Sequence, residues 1–114
     1  MNPKNMPDDY QELSFHLQRM EEELRALGWW SDAPPDAHAM ASTAPFCHDR
    51  MEFHQWLQWV MLPGFRRLIR QESPLPRECA IAPMAEMAWR EEDPSRVHKL
   101  VRILRDIDSH VTSC

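Results

Sequence analysis

An all-α, single-domain, bundle-like fold of four helices is what this sequence predicts, and three observations carry the prediction. Apolar residues recur at steps of three and four in two charged segments, one near each end of the 114-residue chain. Between them lies Met51-Glu-Phe-His-Gln-Trp-Leu-Gln-Trp-Val-Met-Leu-Pro-Gly-Phe65, too apolar for an ordinary surface helix and cut by a proline. Glycine is scarce, at 2, and proline abundant, at 10, which disfavours β-hairpins and suits helices joined by stiff connections. A chain of this size forms one core and buries roughly 65% of the surface its unfolded form exposes.

Residues 1–8 read as a disordered lead-in, and residues 9–111 as one helical domain. The first helix is expected from about Asp9 to Leu27, where Tyr10, Leu13, Leu17, Met20, Leu24 and Leu27 make one apolar face. Asp8 or Asp9 caps its start and Gly28 ends it. Residues 29–48 form a long connection. Structureless connections of that length are uncommon inside a compact domain. This one carries Trp29, Trp30, Met40 and Phe46, so it is expected to pack over the bundle.

The second helix is expected from about Asp49 to Gln71. Asp49 serves as N-cap, and Glu52 three residues on approximates a capping box. Pro63 is expected to kink this helix, because its ring displaces the carbonyl of Trp59 and offers no amide hydrogen. Ser73-Pro-Leu-Pro76 stops the helix. A short third helix is expected over about Pro83 to Arg90, proline suiting a first helical position. The alternative is a helix from near Arg77 kinked at Pro83. The last helix starts at Asp93-Pro94 and runs to about His110, with Val97, Leu100, Val101, Leu104, Ile107 and Val111 as its stripe. The expected core is Leu13, Leu17, Leu24, Trp56, Leu57, Val60, Leu100 and Leu104, with Phe53 on the same face of the second helix as Trp56.

The net charge of −5 argues against a free-standing nucleic-acid binder, which shows a basic excess, though not against a local basic patch. The N-terminus has no apolar signal region, and no stretch approaches 18 uninterrupted apolar residues. With three cysteines, Cys47, Cys79 and Cys114, a reduced, cytoplasmic protein without membrane contact is the simplest reading. No two cysteines stand at C-x-x-C spacing and no histidine pair at i, i+4, so metal-ligand spacing is missing. With Gly28 and Gly64 the only glycines, phosphate-cradling loops cannot be built. No cofactor and no catalysis are expected. The rival enzyme reading is a Cys47 nucleophile paired with a histidine.

Two aromatic residues break their helical patterns. Trp59 shares an angular position with Glu52, Gln55, Arg66 and Arg70, opposite Leu57 and Leu68. Phe15 lies opposite the leucine seam, beside Arg19 and Glu22. Aromatics in a polar rim anchor interfaces, so Trp59 and Phe15 are the candidate partner contacts. The competing reading is that the 29–48 connection covers Trp59. Lys99, Arg102 and Arg105 stand opposite the apolar stripe of the last helix, and Arg66, Arg67 and Arg70 cluster at the end of the second. They are a candidate basic patch, against the plainer readings of a solvated face and of complementing the helix dipole.

Met51-Glu52, Trp56-Leu-Gln-Trp59, Pro63, Leu75-Pro76 and Ala80-Ile-Ala-Pro83 through Glu86-Met-Ala88, with Ser42-Thr-Ala-Pro-Phe46 upstream, resemble the YqcC-like family of small bacterial proteins. The resemblance covers roughly residues 24–90 in order and spacing. The chain departs from the family pattern at Cys47 and Met84-Ala85, where larger aromatics stand. The resemblance implies an all-helical, bundle-like fold. Genes of the family commonly neighbour that of the RNA pseudouridine synthase acting at position 65 of tRNA. It therefore implies a non-catalytic accessory role to that synthase as partner, with tRNA contacted only indirectly or weakly, and it supplies no catalytic residue. The readings kept beside it are a direct nucleic-acid-binding module and a homodimer joined through Phe15 and Trp59.

Overall fold

The computed structural model describes residues 7–35, 51–76 and 78–113. These form α1 (Pro7–Ala26), α2 (Phe53–Trp56), a π turn (Leu57–Met61), α3 (Leu62–Arg70), α4 (Ile81–Ala88) and α5 (Pro94–Ser113). α2, the π turn and α3 run on without a break and are the expected second helix, so the described chain is a four-helix, all-α domain. No helix among the described residues is long and apolar enough to cross a membrane.

α1 and α5 share the largest interface, α4 packs on α5, and α3 meets α1. The 3.5-residue period of α1 delivers Leu13, Leu17, Met20 and Leu24 to the core, and α5 answers with Leu100, Ile103, Leu104, Ile107 and Val111, all essentially inaccessible. Each such side chain taken out of water contributes about 1.5–3 kcal/mol. Leu57, Met61, Leu62 and Phe65 complete the core from the second helix, and Ile81, Ala82 and Ala85 from α4.

α1 ends as expected at Gly28, with φ +75°. Gly28 N–H donates to the Arg25 carbonyl at 3.1 Å and Trp29 N–H to that of Leu24 at 2.9 Å, the paired bonds of a Schellman motif. The same motif closes α3 without glycine. Glu72 takes φ +51°, its N–H donates to Ile69 at 3.1 Å, and Ser73 N–H to Leu68 at 2.9 Å. Tyr10 Oη donates to the Ser73 carbonyl at 2.9 Å and pins this turn to α1.

Several expectations are corrected. α1 begins at Pro7, inside the stretch read as lead-in. The second helix begins at Phe53 rather than near Asp49. Glu52 is its N-cap, in extended backbone (φ −70°, ψ 155°), and forms the capping box with Gln55, whose Oε1 accepts from Glu52 N–H at 2.8 Å. Asp49 lies outside the described residues, as do Met40, Phe46 and Cys47. α4 starts at Ile81, two residues before Pro83, and α5 extends to Ser113. Trp56 and Val60 are only partly buried. The cause is Pro63. It interrupts the helix not by breaking it but through the π turn before it, closed by Leu62 N–H on the Leu57 carbonyl. The extra residue in that turn sets the phase back and puts Pro63 in the first turn of α3, where no N–H is called for. Gln58, Met61 and Leu62 face inward. Trp56 instead lies against Met51 and stacks on Phe53 at 5.6 Å.

Candidate interaction surface

The π turn places one polar side chain in the interior. Gln58 is 5% exposed, and both ends of its amide hold the backbone of Ser31. Oε1 accepts from Ser31 N–H at 2.9 Å and Nε2 donates to the Ser31 carbonyl at 2.5 Å. A buried amide is tolerated because both of its polar atoms are used. This latch fixes the start of the 29–48 connection on the second helix, and the two tryptophans before it are seated alongside. Trp29 stacks on His54 at 4.8 Å and lies 5.1 Å from Trp89. Trp30 lies beneath the Arg25 guanidinium at 4.5 Å, a cation–π contact. The described beginning of the connection thus packs on the bundle, as the aromatics foretold.

Beside the latch is a cleft of about 270 Å³ whose described lining includes Trp30, Ser31, Asp32, Gln58, Trp59 and Arg66. Trp59 is half-buried rather than exposed, with the connection lying against it. Its indole Nε1 is fully buried and has no hydrogen-bond partner among the described residues. A donor in that condition forfeits about 1–3 kcal/mol. Arg66 donates to Glu21 at 2.9 Å, and Glu21 also accepts from Arg25 at 3.3 Å. Burial raises the Glu21 carboxyl, but the hydrogen bonds from Arg66 and Arg25 outweigh it and hold its pKa below the ordinary value.

Phe15 stands on the other flank of α1, 62% exposed, with the Arg19 guanidinium 5.8 Å from its ring. Arg19 bridges to α5, donating to Asp106 and to His16 Nδ1, each at 3.2 Å. Burial first, and Arg19 second, push His16 below its ordinary pKa. His110, its ring 6.0 Å from His16, bonds the Asp9 carbonyl at 2.9 Å. Trp59 and Phe15 are therefore two separate features, not one surface.

The basic candidates are likewise divided. Arg66 is tied to Glu21, Lys99 lies 3.8 Å from Glu23, and Arg105 pairs with Glu86. Arg67, Arg70 and Arg102 are exposed, with no ion pair among the described residues. The α3 and α5 clusters do not merge into one basic face.

Sequence reasoning missed Asp108. From α5 its carboxylate accepts from Ile81 N–H at 2.8 Å and Ala82 N–H at 2.7 Å, capping α4 in place of Ala80, which has no cap to offer. Cys79 Sγ donates to it at 3.1 Å. Burial, and then Asp108, push the Cys79 thiol up to about 12, far from a nucleophile at neutral pH. Among the described residues no group of His, Cys, Asp and Glu is placed to hold a metal ion.

Residues 12–110 match the DUF446 family model, which carries the description tRNA pseudouridine synthase C. The chain belongs to this YqcC-like family. It is 40% identical over 82 residues to the uncharacterized protein YqcC of Escherichia coli K12, across 72% of this chain and 75% of that one. An uncharacterized protein of Haemophilus influenzae is 38% identical over 76 residues, 67% of this chain and 72% of its own. The solution NMR structure of E. coli YqcC matches the fold with a TM-score of 0.82 at 33% identity, covering 91% of this chain and 88% of that one. A further relative is named tRNA pseudouridine synthase C, from Pectobacterium carotovorum. It is 37% identical over 79 residues, 68% of this chain but 21% of that protein. At the family departures, Met84 is half-buried against the core and Ala85 fully buried within it.

Proposed function

We propose that this chain is a non-catalytic accessory protein that works with a tRNA pseudouridine synthase in the cytoplasm. The observation that carries this reading is the Pectobacterium relative, in which a segment homologous to this chain makes up 21% of a protein named for the synthase. There the module and the rest of the protein share one polypeptide. A covalent link supplies the effective concentration that separate chains obtain by binding each other, so in this chain docking on the synthase takes the place of the link.

Among the described residues, the state of the reactive groups supports a binding role over a chemical one; Cys47 lies outside them. The Cys79 thiol is held by Asp108 with its pKa raised to about 12. His16 is engaged by Arg19, and His54 is stacked under Trp29. Direct tRNA binding is the weaker reading, because Arg66, Lys99 and Arg105 already face Glu21, Glu23 and Glu86. Phosphate contact would have to displace those carboxylates.

The test is deletion of the gene with measurement of pseudouridine at position 65 of tRNA, together with capture of the purified synthase on the tagged chain. Reduced modification and co-purification are expected. Full modification with no co-purification would sink the reading.

A further inference from the structure

Two histidines face each other across the α1–α5 interface, and their surroundings differ. The His16 and His110 rings stand edge to face, with centroids 6.0 Å apart. His110 meets two acceptors, the Asp9 carbonyl 2.9 Å from Nε2 and the Glu12 carboxylate 3.4 Å from Nδ1. His16 meets a donor instead, since Arg19 Nη1 lies 3.2 Å from its Nδ1. A guanidinium only donates, so this bond exists only while Nδ1 is bare and the ring neutral. The same Arg19 nitrogen donates to Asp106 Oδ2 at 3.2 Å. One nitrogen, using both of its hydrogens, thus ties a neutral imidazole of α1 to a carboxylate of α5.

A proton on His16 undoes that arrangement. Nδ1 becomes a donor and loses Arg19, which leaves two cations beside one carboxylate. Among the described residues, the charged and titratable groups facing His16 are Arg19 and Glu12 from α1, and Asp106 and His110 from α5. Glu12 already lies against His110, so Asp106 is the acceptor within reach of a charged His16. The Arg19 side chain is 30% exposed and has a long stem that carries its head to water. The imidazole is held edge-on to His110 between the helices. Of the two cations, Arg19 is the one that leaves.

We propose that this seam is a proton-operated switch, in which protonation of His16 passes Asp106 from Arg19 to His16 and releases the Arg19 guanidinium. The surface that changes is the face around Phe15, which is 62% exposed and has Arg19 at 5.8 Å from its ring. In the released state that face carries one more positive charge, and its guanidinium is no longer fixed. Burial first, and Arg19 second, hold the His16 pKa below 6.5, so the released state belongs to the mildly acid side. The switch rests on this geometry and not on the accessory role proposed above.

The test is an NMR titration of the 13C,15N-labelled chain from about pH 7.5 to pH 5, the range in which histidine changes charge. His16 is followed through its Cε1–H signal and Arg19 through its Nε–H signal, assigned by their loss in His16→Gln and Arg19→Lys. Both signals are expected to move with one shared midpoint below 6.5. In His16→Gln, whose amide oxygen accepts from Arg19 but takes up no proton, the Arg19 signal is expected to stay constant. Arg19→Gln should shift the His16 midpoint up, and Asp106→Asn should shift it down. An Arg19 signal that does not follow His16 overturns the switch. So does a His16 midpoint lowered by Glu12→Gln but not by Asp106→Asn, which would make Glu12 the acceptor. Far-UV circular dichroism is expected to stay constant over the range; loss of helix in step with His16 would mean unfolding and would also overturn the switch.

Discussion

Asp108 on α5 caps a helix to which it does not belong, accepting from Ile81 N–H at 2.8 Å as well as from Ala82 N–H at 2.7 Å at the start of α4. The first turn of any helix leaves backbone donors without partners, and the residue at the cap position here is alanine. A carboxylate also suits the positive end of the helix dipole. One side chain thus supplies the cap and fastens α4 to α5.

Asp108→Ala is expected to cost about 1–3 kcal/mol, since it strands two backbone donors. Asp108→Asn, which keeps one acceptor oxygen, is expected to cost less. Urea titration with a helix-sensitive signal gives both values, and equal, negligible losses would show that the cap contributes nothing.

Leu57→Ala is expected to cost about 2–5 kcal/mol, as for a fully buried leucine. Val60→Ala is expected to cost about 1 kcal/mol or less, as for a partly exposed site. A uniform α-helix would place both in the core, so their difference reads the phase shift at the π turn. Similar losses for the two variants would contradict it.

Stability is expected to fall on mild acidification. Burial pushes His54 and His16 below their ordinary value of 6.5, in His16 with Arg19 adding to the effect. A histidine with a depressed folded pKa binds fewer protons folded than unfolded. Its contribution is fully present above 6.5 and is lost as pH falls through the lowered folded value. Thermal melts from pH 7.5 to 5 should show a declining midpoint, flattened in the His54→Gln, His16→Gln double variant. A second decline is expected below about 4.5, the ordinary value for Glu21, whose pKa is likewise lowered. A midpoint independent of pH between 7.5 and 5 would contradict the histidine account.

Glu72→Gly is expected to stabilise the fold by about 0.5–1 kcal/mol. The left-handed conformation costs a side-chain-bearing residue about 1–2 kcal/mol, and glycine's greater freedom in the unfolded chain returns part of that. The same change at a helical position such as Arg67 should instead destabilise by about 1 kcal/mol. Two losses of similar size would mean that Glu72 is not strained.

The fold was legible where it rests on local periodicity. Four helices, the apolar faces of α1 and α5, the Gly28 stop and the Asp93 start follow from spacing and from the conformational limits of glycine and proline. Asp93 behaves as its position foretold: Ser95 Oγ donates to it at 2.8 Å and Ser95 N–H at 3.0 Å. The wheel of the second helix failed at Trp56 and Val60, because a helical wheel assumes one constant rotation per residue and Pro63 induces a π turn. The lone glutamine in Trp-Leu-Gln-Trp-Val was a signal that sequence reasoning passed over.

What the sequence determined by itself was therefore the set of helices, most of the core, and the family, each carried by residues close together in the chain. Only the tertiary structure decided which charges are spent and which helix ends are capped from afar. Arg66 meets Glu21 across 45 residues, Gln58 meets Ser31 across 27, and Asp108 meets Ile81 across 27. Such pairings depend on which helix faces pack together. One-dimensional spacing reports the existence of a face, not the face it will meet.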